Sequence, residues 1–101
     1  MYEPLDGPSA QLKVTLSSGT ALEVKVGSQT LEDRKVVSIQ PNQDIKVYFG
    51  DGVNIPSAST VVNNGLDHYR NQLSTYEAGA RQPVFIAISS GSASVVIIER
   101  A

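Results

Sequence analysis

The feature that most constrains this chain is a period-two alternation of aliphatic and polar residues, broken at short intervals by Gly, Ser, Pro or Asn. Leu12, Val14 and Leu16 alternate with Lys13 and Thr15. Leu22, Val24 and Val26 alternate with Glu23 and Lys25, and Ile45, Val47 and Phe49 repeat the rule. Alternation puts every second side chain on one face of an extended chain, so these segments read as half-buried β-strands. Their shortness and the turn residues between them point to an all-β fold.

Ser17-Ser18-Gly19-Thr20 between the first two segments predicts a β-hairpin. Lys35 to Ile39 is β-branched, Pro41 to Asp44 carries turn chemistry, and the strand from Ile45 ends at Gly50-Asp51-Gly52. Pro56 to Thr60 reads as a loop or weak edge strand, because Pro cannot donate to a ladder. Val84 to Ile88, Ser89 to Ser92 and Ala93 to Ile98 predict a second hairpin. Its return strand, Val95 to Ile98, is apolar on both faces and belongs mid-sheet. In Leu66 to Tyr76, Leu66, Tyr69, Leu73 and Tyr76 fall at helical spacing, with Asn64 and Gly79 as caps, yet Leu73 to Tyr76 also suits a strand. The expected core is Leu12, Val14, Leu22, Val24, Val37, Ile39, Ile45, Val47, Ile86, Ile88, Val96 and Ile98. Residues 1–10 hold two prolines and little apolar content, and read as an extended arm preceding a domain over 11–101.

With 101 residues the chain suits one domain. The expected fold is a single β-sandwich or jelly-roll-like barrel of about six to eight antiparallel strands, with a short helix near 66–76 as one of the two readings of that stretch. A net charge of −2 argues against a partner that is nucleic acid or anionic membrane. The absence of cysteine excludes a disulfide scaffold, a Cys zinc site and thiol catalysis. The start, Met1-Tyr2-Glu3-Pro4, lacks the basic and apolar regions of a secretory signal, and no apolar run approaches the ~18 residues of a membrane helix. The expectation is a soluble chain made in the cytoplasm.

Little in the sequence points to catalysis. His68 is the only histidine. Its neighbour Asp67 would point to the opposite face of a strand, and no Gly-x-Ser-x-Gly elbow supplies a nucleophile. A surface or interface histidine is the favoured reading over a catalytic one. Gly50-Asp51-Gly52 with Asn54 fits a turn better than a calcium loop. Glu32-Asp33-Arg34-Lys35 reads as a solvated charge cluster, and no Gly-rich phosphate cradle follows a strand. A nucleic-acid-binding barrel would want aromatic platforms among basic residues, whereas Tyr48, Phe49 and Phe85 are sparse and acids outnumber bases. A carbohydrate-binding or adhesin module would want clustered aromatics, and the chain has four Tyr, two Phe and no Trp. No catalytic residue, cofactor or metal ligand is therefore expected.

The order Arg34-Lys35-Val36-Val37-Ser38-Ile39-Gln40, then Ile45-Lys46-Val47-Tyr48-Phe49-Gly50, then Pro83 to Glu99 resembles the small all-β virion proteins of tailed bacteriophages. In that family an Arg-headed strand, a strand ending in Gly and a closing hairpin ending in Glu recur in this order. The resemblance covers about two thirds of the chain and departs between Leu66 and Gly79. It implies a structural role in the virion, first as a capsid decoration (cement) protein and second as a neck or tail component. The implied partners are the major capsid protein or another virion protein and further copies of the chain, with a trimer favoured and a dimer allowed. Candidate partner-binding residues are Tyr2, Pro4 and Leu5 of the arm and His68, Tyr69, Arg70 and Tyr76, because exposed tyrosines favour interfaces.

Overall fold

A computed structural model describes residues 9–27 and 29–101. The alternating segments form strands β1 (Ser9–Ser17), β2 (Leu22–Glu23), β3 (Val36–Pro41), β4 (Ile45–Phe49), β5 (Leu66–His68), β6 (Ser74–Tyr76), β7 (Val84–Ala87) and β8 (Ser92–Arg100). One helix, α1 (Ala58–Asn64), lies between β4 and β5. The strands make two four-stranded sheets, ordered β1-β8-β3-β6 and β2-β7-β4-β5, and every pairing is antiparallel. The first strand pairs with the eighth, the second with the seventh, the third with the sixth and the fourth with the fifth. The chain is thus one long two-stranded ribbon with α1 at its tip. The β3·β8 and β4·β7 pairings roll it up. This is the strand order of a jelly roll.

Neither predicted hairpin forms. β1 lies in one sheet and β2 in the other, and β7 and β8 are likewise divided, so Ser18–Gly19 and Ser89–Gly91 carry the chain across the sandwich. Alternation requires only that one face of each strand turn inward, and either sheet meets that requirement. The partner of a strand is chosen by the whole roll.

The core comprises Leu16, Val24, Val37, Ile39, Ile45, Val47, Val84, Ile86, Ile88, Val95 and Ile97, all buried. Val96 and Ile98 of the expected core are on the outer face of β8 and half-buried. A four-residue apolar run carries no phase, so parity along β8 could not be read from it. Leu12 is 42% exposed, and Val14 and Leu22 are half-buried. β1 runs nine residues opposite an edge strand, β2, of only two, so part of its inward face is uncovered.

The helix also sits elsewhere than expected. Pro56 to Thr60, read as loop or edge strand, contains its start. Ser57 caps it by accepting from Thr60 N at 3.1 Å, and Val61 packs with Phe85 and Ala87 on the outer face of the second sheet. Gly65 ends it. A Cβ there would run into the carbonyl oxygens of Val61 and Val47, so only glycine lets the chain pass from α1 into β5. The stretch from Leu66 to Tyr76 is strand, turn and strand.

Arg34 is not part of a solvated cluster. It is 2% exposed, and its guanidinium uses all five N–H donors. Nε donates to Ala78 O, Nη1 to Val24 O and to Glu99 Oε2 at 2.9 Å, and Nη2 to Gly79 O and Gln82 O. Glu99, fully buried, also accepts from Val26 N and Leu31 N. This pair ties β8 to the connections that leave β2 and β6 at one end of the sandwich. Glu32 and Asp33 are exposed as expected.

Candidate interaction surface

At the opposite end, four connections meet: Ser18 N donates to Gly91 O, Asn42 N to Ser94 O, Asn71 N to Pro41 O and Arg70 N to Asp44 Oδ1. The turn Tyr69-Arg70-Asn71-Gln72 joins β5 to β6 and is held from every side. Gln72 N donates to Tyr69 O at 3.0 Å and Tyr69 N to Gln72 Oε1 at 3.1 Å. Asn71 takes a left-handed φ of 62°, which Asn tolerates better than most residues. A turn fixed in this way presents its outward side chains in one geometry.

Tyr69 and Leu73 are each 59% exposed, Leu66 is 54% exposed, and Arg70 is exposed beside them. β5 and β6 are the edges of their sheets on the same side of the sandwich, so Leu66, on the inward face of β5, is only partly covered. Phe49, diagonal to Leu66 across the β4·β5 pairing, is 39% exposed and meets Tyr76 edge-on with centroids 5.7 Å apart. The result is an apolar strip, Phe49–Leu66–Tyr76, near a rigid turn bearing Tyr69 and Arg70, with Leu73 immediately after it.

Of the residues expected to bind partners, Tyr69 and Arg70 are on this surface. Tyr2, Pro4 and Leu5 lie outside the described residues. His68 is neither a surface nor an interface residue: it is 1% exposed. Its Nε2 lies 2.8 Å from Gln72 O, an atom that only accepts, so Nε2 carries the hydrogen and Nδ1 accepts from Tyr76 Oη at 2.9 Å. Both ring nitrogens are thereby used in closing the gap between the sheets. Asp67 points outward and pairs with Lys46, as opposite faces of a strand require. Tyr76 is half-buried and packs on its own domain, and burial pushes its hydroxyl above the ordinary 10.0 against the opposing hydrogen bond from Ser74. It therefore stays protonated as the donor to His68.

Phe49, Leu66 and Leu73 were not anticipated, because apolar residues in strand patterns are assigned to the core. The available signal was the brevity of the segment between Gly65 and Arg70, too short to be covered along its length.

A cleft of about 240 Å³ opens beside Tyr69, with Asp44, Lys46, Asp67 and Ser89 around it and the buried His68 on its wall. Its size is below the ~300–1,000 Å³ of small-molecule sites. Its Asp44 is engaged with Arg70 N, and Lys46 with Asp67. No group of three or more potential metal-binding side chains occurs among the described residues. The chemistry this surface offers is burial of apolar and aromatic area around one cation.

No family model, no curated protein and no solved structure matches the chain.

Proposed function

We propose that this chain is a structural protein of a bacteriophage virion, acting as a capsid decoration protein that binds the shell. The observation that carries the proposal is the meeting of Arg34 and Glu99. They head and close the pattern that resembles small virion proteins, and they form a buried pair at 2.9 Å, although its last segment crosses between the sheets and is not a hairpin. The resemblance therefore involves residues on which this fold depends. The jelly-roll order is shared with viral capsid domains, and also with lectins and cupins, so the fold is compatible with the reading without singling it out.

The surface around Tyr69, Arg70 and Leu73 supplies the shell contact in this reading. Aromatic and Arg side chains are enriched at protein interfaces, and here the backbone beneath them is already ordered. The shell protein and further copies of the chain are the partners, and the virion is the location.

Copy number in purified virions tests the proposal by gel densitometry. On the order of hundreds of copies per particle is the expected result, as shell symmetry repeats the binding site many times. A ring number of about six or twelve would move the protein to the neck or tail. Absence from purified particles would overturn the virion reading and favour a binding or adhesin module.

A further inference from the structure

The two sheets end in four edge strands, and three of these are short. β2 has two residues, and β5 and β6 have three each. The fourth, β1, has nine, and all of them pair with β8 without a bulge. Just past that ladder Ser18 N donates to Gly91 O. Antiparallel pairing turns alternate residues to opposite sides, so the even-numbered residues of β1 bond to β8. Ser9, Gln11, Lys13, Thr15 and Ser17 therefore turn their N–H and C=O groups to the outer edge. All of these are exposed, and no described segment pairs with them. Natural sheets blunt a long edge with Pro, a bulge or charge. Within β1 only the charge of Lys13 serves that purpose.

We infer that β1 pairs antiparallel with β1 of a second copy of this chain, about a two-fold axis at Leu12, so that two sheets become one. The side chains around Leu12 identify the occupant. Ser9-Ala10-Gln11-Leu12-Lys13-Val14-Thr15 keeps its chemistry when read backwards. About that centre hydroxyl meets hydroxyl at Ser9 and Thr15, small Ala10 meets larger Val14, and Gln11 meets Lys13. The neighbouring registers fail. A centre at Lys13 sets two cations directly opposite, which destabilises a sheet pair. A centre at Val14 opposes Leu12 to Leu16, which is already buried by its own domain. Leu12 itself is 42% exposed, on the inward face that β2 leaves uncovered. The axis at Leu12 brings it against its own copy at a non-hydrogen-bonded position, where opposed side chains approach most closely. Ser9, Gln11, Lys13 and Thr15 meanwhile exchange backbone hydrogen bonds with Thr15, Lys13, Gln11 and Ser9 of the second copy. The backbone groups alone accept any strand; the mirrored side chains select this one. An edge takes one partner strand, so the contact makes a dimer and not the trimer that shell symmetry favours. It belongs to the isolated chain and does not rest on the virion reading.

Sedimentation equilibrium of the full chain over a concentration series provides the test. A reversible monomer–dimer equilibrium is expected for the natural sequence. Gln11→Pro removes an N–H that faces outward, so the β8 ladder and the circular dichroism should survive while dimerisation weakens about tenfold or more. Gln11→Lys, which keeps the strand intact and sets a cation opposite Lys13 of the other copy, should also weaken it. Gln11→Glu should strengthen it about threefold or more. The chain has no cysteine, so Leu12→Cys supplies a single thiol. Mild oxidation should join that variant into a covalent dimer, because directly opposed residues of such a pair lie within disulfide reach. Lys13→Cys, which meets Gln11, should cross-link far less. A monomer throughout, a trimer, a dimer indifferent to charge at position 11, or faster linkage through Lys13→Cys than through Leu12→Cys would overturn the inference.

Discussion

Glu99 is a carboxylate with no exposure, and its partner Arg34 has every guanidinium hydrogen assigned. Burying both charges is costly, so the pair adds less net stability than its short distance suggests, but removing one partner strands the other. Glu99→Ala should cost about 3–5 kcal/mol in urea unfolding. Glu99→Gln, which keeps an oxygen for Val26 N or Leu31 N, should cost less. Equal losses would show that the charge facing Arg34, and not the hydrogen bonds an amide can keep, carries the contribution of Glu99. Tyr76 makes a different prediction, in pH. Burial raises its hydroxyl pKa, so the folded state holds the proton more tightly than the unfolded state does. Its contribution is fully present below the ordinary value of 10.0 and is lost as pH rises through the raised folded value. Tyr76→Phe should therefore lose less stability than the natural chain when urea midpoints are compared on either side of pH 10. An unchanged alkaline slope would remove Tyr76 as its source.

At the scale of the element, β8 is the strand whose facing was hardest to read and is now easiest to test. Ile97 is fully buried between the sheets, whereas Ile98 is half-buried on the outer face. Ile97→Ala should cost about 2–5 kcal/mol, and Ile98→Ala less than half of that. The reverse ranking would mean that β8 is one residue out of register, which would also expel Glu99 from Arg34. Helix α1 is a lesser element that depends on tertiary packing more than on its Ser57 cap. Its seven residues would be marginal alone and persist because Val61 packs on Phe85 and Ala87.

For the whole molecule, the two open sides of the roll differ in consequence. The β5–β6 side carries Tyr69 and Arg70 on a turn fixed by contacts to Pro41 and Asp44, and Leu73 just beyond it. Replacing all three by Ala should reduce incorporation into particles while leaving the unfolding midpoint within about 0.5 kcal/mol of the natural chain, as is usual for surface positions. Full incorporation of that variant would remove this surface from the shell contact. His68 must be left in place in such a test, since it bridges Gln72 and Tyr76 from within and its loss would unfold what is being assayed. The topology also bears on how the molecule forms. Ser9 pairs with Arg100, so the outermost ladder of the roll closes only after nearly the whole chain has been gathered.

The sequence by itself determined that this chain is mainly β, where its strands run outside α1, β5 and β6, and for most of those strands which side chains face inward, because a period of two is a local property of the backbone. It offered His68, Tyr69, Arg70 and Tyr76 alike as surface candidates, and the structure exposes only Tyr69 and Arg70 of these four. It did not determine which strands pair, since Leu12 to Val26 and Val84 to Ile98 satisfy a hairpin and a sheet-to-sheet crossing equally well. The inward phase of Val95 to Ile98, the union of Arg34 with Glu99 across 65 positions, and the burial of His68 were decided only when the two sheets closed. Each depends on what a distant segment places opposite: a charged or imidazole side chain defaults to water and is carried inside only where a partner there offsets its desolvation.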